Sequence, residues 1–303
     1  MRSRKRLNRR GKIAVSVLFI VLIVLISGLF GDNQKKLAKE KDNQAENTMA
    51  VIPFSVEPLV AFTDSTLSRS IIESTNEKSE VTRKKEYAKQ NKIDQKENAI
   101  YLTFDDGPTN VTDELLDILS DYHMNATFFM VGPNIKQYPE VVKRMHEEGF
   151  GLALHGMTHD VYKIYRNETA PLEEMLENQE ILSEVTGMST EVIRLPYGSI
   201  PYLTEGMRYM LAQYNFKIWD WNVDSLDWKL NNKSYVQHTI QEIEEMKQKG
   251  LTPVILLHDR QETVKHLPKL LSYLKEQGYK TKILTNDSPP LTFPCEGRCR
   301  PVK

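Results

Sequence analysis

From residue 99 to residue 284 the chain alternates seven short β-prone runs with amphipathic helical stretches, and this alternation constrains the fold more than any other feature. The strands read as 99–104, 126–130, 152–154, 191–194, 216–220, 253–257 and 281–284. Between them apolar residues recur at helical spacing, as in Leu115, Ile118, Leu119 and Tyr122, or Met175, Leu176 and Leu182 after Pro171. Gly149, Gly187, Gly250 and Gly278 stand where those helices should stop. A strand followed by a helix, repeated seven times, calls for α/β architecture with a parallel sheet, either open or rolled into an incomplete barrel. Such sheets keep their chemistry at the carboxyl ends of the strands.

The ends of the chain follow different rules. Residues 1–12 hold seven Lys or Arg and no acid, and residues 13–30 form an uncharged apolar run. Its 18 residues sit at the lower edge of the roughly 17 to 25 needed for a membrane-spanning helix. Basic residues stay on the cytoplasmic side, so the remainder is expected outside the membrane, tethered to the lipid bilayer by an uncleaved single-pass anchor. Secretion after signal cleavage is the alternative reading, for which 26–30 offers only a poor cleavage site. Residues 31–95 are rich in Lys, Glu, Asn, Gln and Ser and read as a disordered stalk, interrupted by an apolar island at 51–62. The basic block is a topology signal, so no nucleic-acid partner is expected, and the chain is expected to act as a monomer. Cys295 and Cys299 are the only cysteines, both in the tail at 288–303, where a small disulfide loop or two free thiols fit equally. A core without cysteine excludes a thiol enzyme.

Five segments fall at predicted strand ends. Thr103-Phe104-Asp105-Asp106-Gly107 places two carboxylates together, although Asp-Asp-Gly-Pro is also an ordinary turn. His155-Gly156-Met157-Thr158-His159 puts two imidazoles four residues apart, projecting on one side of a helical turn so that both can reach one metal ion. With one acidic oxygen they make the ligand set of a hydrolytic zinc site. Arg194-Leu195-Pro196-Tyr197-Gly198 offers a cation for a catalytic carboxylate and a turn that aims a backbone N–H. Residues 219–228 hold all three tryptophans, among them Trp228, together with Asp227. Leu256-Leu257-His258 ends a buried strand on a general-acid candidate.

Taken in order, these segments resemble the five motifs of the polysaccharide deacetylases of carbohydrate esterase family four, which share the NodB homology domain. The resemblance covers residues 97–287. It implies an irregular (β/α)7 barrel of parallel strands, with Asp105 as general base, Arg194 as its partner, and Asp106, His155 and His159 as ligands of one divalent metal ion, Zn²⁺ first with Co²⁺, Mn²⁺ or Ni²⁺ as alternatives. It further implies the Tyr197 backbone N–H at the oxyanion, Trp228 and Leu256 as walls of the acetyl pocket, and His258 as general acid oriented by Asp227. One departure is Gly156, where the family usually has Ser or Thr. The expected activity is removal of N-acetyl groups from a cell-wall polysaccharide, N-acetylglucosamine in peptidoglycan leading. A deacetylase or O-acetyl esterase acting on another glycan, such as a chitin-like oligomer, a muramic acid residue or xylan, and an inactive glycan-binding module are the alternatives.

Overall fold

The structure is a computed structural model and describes residues 65–230 and 232–302. The basic segment, the apolar run at 13–30 and the island at 51–62 lie outside the described residues. Among the described residues no helix is long and apolar enough to cross a membrane.

Among the described residues eight strands make one sheet: β1 (Ala99–Gly107), β2 (Thr127–Met130), β3 (Gly151–Leu154), β4 (Val192–Ile193), β5 (Lys217–Ile218), β6 (Val223–Asp224), β7 (Val254–His258) and β8 (Lys280–Lys282). Their order is β5-β4-β3-β2-β1-β7-β6, with β8 paired to the start of β1. Every pairing is parallel. The barrel expected from the resemblance is therefore a half-barrel, because no ladder among the described residues joins β5 to β6. Strands of two residues, as β4, β5 and β6 are, carry too few backbone hydrogen bonds to close a ring.

Side chains alternate across the strands and build two cores. On the helix side Leu102, Phe104, Phe128 and Leu154 pack against residues such as Leu115, Leu119 and Leu182 of the surrounding helices. On the inner side Tyr101, Phe129, Ala153, Val192, Trp219 and Val254 fill the half-barrel, and Leu284 and Leu291 close it from the C-terminal segment. That segment also occupies the open edge. The Asp220 N–H donates to the Leu291 carbonyl at 2.7 Å, the Thr292 hydroxyl donates to the Ile218 carbonyl at 2.6 Å, and the Phe293 N–H donates to Asp220. Residues beyond 287, read from the sequence as a tail outside the resemblance, are thus packed on the sheet, and a Cys295–Cys299 disulfide follows them.

A second difference lies before β1. Residues 65–95, expected as part of a disordered stalk, belong to helix α1 (Ser65–Lys96). Its last turns dock through polar contacts. Asp94, buried, accepts from the Tyr101 hydroxyl at 3.0 Å and pairs with Lys282 at 2.9 Å. The Asn91 side chain accepts from the Thr252 N–H at 2.7 Å and donates to the Gly250 carbonyl at 3.0 Å. Composition judges order by apolar area, and this helix is fastened by side-chain hydrogen bonds instead.

The remaining helices are α2 (Thr112–Tyr122), α3 (Gly132–Gln137), α4 (Pro139–Glu147), α5 (Val161–Ile164), α6 (Ala170–Thr186), α7 (Glu205–Gln213), α8 (Asp227–Leu230), α9 (Ser234–Gln248) and α10 (Gln261–Glu276).

Candidate active site

The two adjacent aspartates are separated by the backbone. Tyr101, Thr103 and Asp105 share the inner face of β1, and the pairing with β2 then slips, Asp105 opposite Phe129 and Gly107 opposite Met130. Asp106 is the extra residue of this bulge and has φ 72°, in the left-handed region. A regular strand would send Asp106 to the outer face. The bulge turns it toward the same pocket as Asp105.

Asp105 is buried, and its Oδ1 accepts from Arg194 at 2.8 Å. Arg194 is itself fully buried, just past β4, where no water can satisfy it. Its guanidinium also donates to the Thr103 hydroxyl at 2.8 Å, the Trp219 carbonyl at 3.0 Å and the Asp220 carbonyl at 3.1 Å, and it lies 4.0 Å over the Phe129 ring. An arginine so held is a fixed positive charge, and it fixes one oxygen of Asp105 while leaving the other toward the pocket. That other oxygen stands 3.7 Å from His155 Nε2.

His155 and His159 do not sit on a helical turn. The segment between β3 and α5 is a loop, with Gly156 at φ 80° and His159 at φ 44°. A turn of helix would continue the direction of β3 over the pocket, whereas the left-handed steps fold both rings back to Asp106. The His155 Nδ1–H donates to the Arg194 carbonyl at 2.8 Å, which leaves its Nε2 with a lone pair facing the pocket. Asp106 Oδ1 lies 3.5 Å from His155 Nε2 and 3.2 Å from His159 Nε2. That oxygen is buried with no hydrogen-bond partner among the described residues. The three ligand atoms lie within 4.8 Å of one another. An orphaned carboxylate oxygen converging with two imidazole nitrogens fits a divalent metal and has no other evident use. Burial pushes the Asp106 carboxyl up, but the His155 and His159 rings beside it outweigh burial and hold the carboxyl well below the usual range.

The Arg194-Leu195-Pro196-Tyr197-Gly198 turn aims an amide at the same place. Tyr197 has φ 67°, and its N–H has no acceptor among the described residues. The buried Tyr165 hydroxyl donates to the Pro196 carbonyl at 2.7 Å and to the Gly198 carbonyl at 3.1 Å. In a planar trans peptide the Tyr197 N–H points opposite to the Pro196 carbonyl, so a carbonyl held inward presents the N–H outward. The Tyr197 hydroxyl donates to the His159 carbonyl at 2.9 Å and so ties this turn to the histidine loop. A pocket of about 400 Å³ opens in front, lined by these groups and by Gly198, Trp221, Asp224, Trp228, Leu256, His258 and Arg260. Leu256 sits opposite Thr103 in the sheet and Trp228 is half exposed at the rim.

His258 lies opposite Asp105 in register. Its Nδ1–H donates to Asp227 Oδ1 at 2.7 Å, and its backbone N–H donates to Oδ2 of the same carboxylate at 2.8 Å. Thr263 completes the carboxylate at 2.6 Å. Burial pulls the His258 ring down, but the Asp227 hydrogen bond and charge, with Asp105 and Asp106 behind them, push it up to about 8. The imidazolium is then the dominant form at neutral pH and is lost as pH rises through about 8, together with the stability that this pair contributes. Asp227→Asn removes the charge and leaves burial in control. The alkaline limb of kcat/KM against pH is expected to move to lower pH by about one unit or more. A limb that stays near pH 8 in the variant would remove Asp227 from this role.

Eight of the ten residues singled out in the sequence line one pocket, and the buried Arg194 and Asp227 stand behind it, bonded to Asp105 and His258. The pocket-lining Trp221, Asp224 and Arg260 were not among them, nor were the bracing residues Tyr165, Thr263, Glu174 and Asn178. Trp221 and Asp224 fall in the tryptophan-rich segment and were within reach of that signal. The braces occupy helices, loops and turns whose sequence shows nothing unusual.

A family model described as polysaccharide deacetylase matches residues 92–219. The putative polysaccharide deacetylase YheN of Bacillus subtilis (strain 168) is 42% identical over 204 residues, covering 67% of this chain and 72% of the relative. The chain belongs to the polysaccharide deacetylase family. A peptidoglycan-N-acetylglucosamine deacetylase of Bacillus cereus is 40% identical over 197 residues, 64% of this chain and 72% of that protein. The crystal structure of the polysaccharide deacetylase Bc1974 from Bacillus cereus matches with a TM-score of 0.59 at 39% identity, covering 64% of this chain and 96% of that chain. The family model ends before Asp227 and His258; the sheet register brings His258 beside Asp105, and hydrogen bonds hold Asp227 to His258.

Proposed function

We propose that this polysaccharide deacetylase removes N-acetyl groups from N-acetylglucosamine in peptidoglycan, releasing acetate and leaving a free amino sugar. The observation that carries the reading is the unpartnered Asp106 Oδ1 facing two imidazole Nε2 atoms. Beside it stand an arginine-held carboxylate and an aspartate-held histidine. Peptidoglycan as the glycan is supported by the Bacillus cereus relative, a peptidoglycan-N-acetylglucosamine deacetylase.

Asp106, His155 and His159 would hold the metal, Zn²⁺ by preference for two nitrogens and one oxygen, which supplies Lewis acidity toward water and the amide carbonyl. Asp105, fixed by Arg194, takes the proton of the attacking water. The Tyr197 N–H donates to the oxygen on which negative charge develops. His258 gives a proton to the departing sugar nitrogen, so that the amine leaves neutral, and Asp227, by accepting the Nδ1–H, stabilises the imidazolium whose Nε2–H faces the pocket. Trp228 and Leu256 enclose the acetyl methyl and keep bulk water from it. The seven basic residues before the apolar run support a location outside the membrane, anchored by residues 13–30, with secretion as the alternative.

Chelation is expected to abolish acetate release from peptidoglycan fragments, and added Zn²⁺ or Co²⁺ to restore it. Full activity in protein shown to be metal-free would sink the metal reading. Release from chitin-like oligomers but none from peptidoglycan would sink the substrate.

A further inference from the structure

Glu174 lies outside the five motifs and takes no part in the chemistry above. It is nonetheless buried on α6, with its carboxylate turned into the histidine loop. Oε2 accepts the Met157 N–H at 2.8 Å and the Thr158 N–H at 3.1 Å, and Oε1 accepts the Thr158 hydroxyl at 2.7 Å. One turn along α6, the fully buried Asn178 donates to the Gly156 carbonyl at 2.8 Å and to the Met130 carbonyl at 2.7 Å. These two side chains grip residues 156, 157 and 158, which are all of the residues between His155 and His159. The Met157 and Thr158 amides have no other acceptor among the described residues.

We propose that Glu174 is the positioning residue of the metal centre. The loop has no helical or sheet ladder of its own, so its path depends on what its amides are bonded to. His155 is anchored through its own ring and backbone, whereas His159 follows three loop residues and its side chain is one-third exposed. Glu174 removes the freedom of those three residues and so delivers His159 Nε2 to Asp106. Gly156 is matched to this clamp. A Cβ at 156 would lie 3.0 Å from Glu174 Oε2, and φ 80° disfavours any side chain there. Sequence position 156 and sequence position 174 are therefore coupled, although neither touches a ligand atom.

The inference rests on the reading that Asp106, His155 and His159 hold a metal, and the two can fail separately. Glu174→Ala deletes all three hydrogen bonds. Glu174→Gln keeps the shape: its carbonyl accepts the two amides, and its amide donates to the Thr158 oxygen, whose hydroxyl can rotate to accept. The measurement is Zn²⁺ titration calorimetry on the metal-stripped full chain, alongside thermal unfolding of the metal-free forms and kcat and KM on an N-acetylglucosamine oligomer.

Glu174→Ala is expected to weaken Zn²⁺ by about 10 to 100-fold, the usual effect of losing a group that orients a ligand. It is also expected to lower kcat at saturating Zn²⁺ with little change in KM. Glu174→Gln should recover most of both. Zn²⁺ affinity and kcat unchanged in Glu174→Ala would overturn the proposal, as would a glutamine variant as impaired as alanine. If the alanine chain does not fold, Gly156→Ala asks the same question from the other side of the contact. Weakened Zn²⁺ with a wild-type unfolding transition supports the clamp, and unaltered Zn²⁺ affinity overturns it. Wild-type protein that takes up no Zn²⁺ at all would instead overturn the triad, and the clamp with it.

Discussion

Asp105→Asn is expected to lower acetate release by about 10² to 10⁴-fold, the usual worth of a positioned general base, while the protein still binds one metal per chain. Asparagine keeps the size of the side chain, and its amide oxygen can still accept from Arg194, which now stands 2.8 Å from Asp105 Oδ1. What disappears is the oxygen that faces the pocket with a lone pair basic enough to take a proton. Asp106→Asn should behave differently. There the lost atom is the orphaned oxygen between His155 and His159, so metal affinity should fall first, with partial rescue of turnover by excess metal. Metal content and acetate release are measured side by side on both variants. Loss of metal from Asp105→Asn with retention by Asp106→Asn would reverse the two roles. Full acetate release from both would end the enzyme reading. The contrast follows from the β1 bulge, since an unbroken strand would place these neighbours on opposite faces of the sheet.

That bulge marks where sequence reasoning stopped. The seven strand-helix units were legible because β1, β2, β3 and β7 are runs of apolar, β-prone residues flanked by helices with a 3.6-residue apolar period. The same regularity placed Asp105, His155, Arg194 and His258 at strand ends, which is why the candidate residues converge. β6 (Val223–Asp224) was not legible, because two residues among Asp, Asn and Ser carry no periodicity. Nor was the opening between β5 and β6, since closure depends on strand length and on Leu291, Thr292 and Phe293 arriving from far along the chain. The spacing of His155 and His159 suits a helix and equally suits a loop folded back by two left-handed residues; spacing alone does not distinguish them. Glu174 and Tyr165 act on backbone groups of distant turns, and backbone groups are present at every position, so no local pattern betrays the contact.

Arg194 should show the largest effect on stability. Arg194→Met removes the guanidinium bonded to Asp105, which is buried, and leaves that carboxylate without this ion pair inside the half-barrel. The Thr103 hydroxyl and the Trp219 and Asp220 carbonyls lose a donor in the same step. Breaking a buried pair from one side costs about 3 to 5 kcal/mol, because the remaining charge keeps its desolvation penalty and loses its compensation. The expected result is a shift of that size in the denaturant unfolding of metal-free protein, with acetate release abolished. Asp105→Asn in the Arg194→Met background removes the stranded charge. The double variant is therefore expected to recover a substantial part of the lost stability while remaining inactive, and the sum of the two single effects should exceed the double effect by more than about 1 kcal/mol, as contacting residues in one network do. A double variant as unstable as the sum of its parts would show that Arg194 supports the fold through its carbonyl contacts and the Phe129 ring rather than through Asp105. Arg194→Met within about 1 kcal/mol of wild type would show that water or a neighbouring group replaces the guanidinium. In that event Asp105 would not be oriented as its role as base requires.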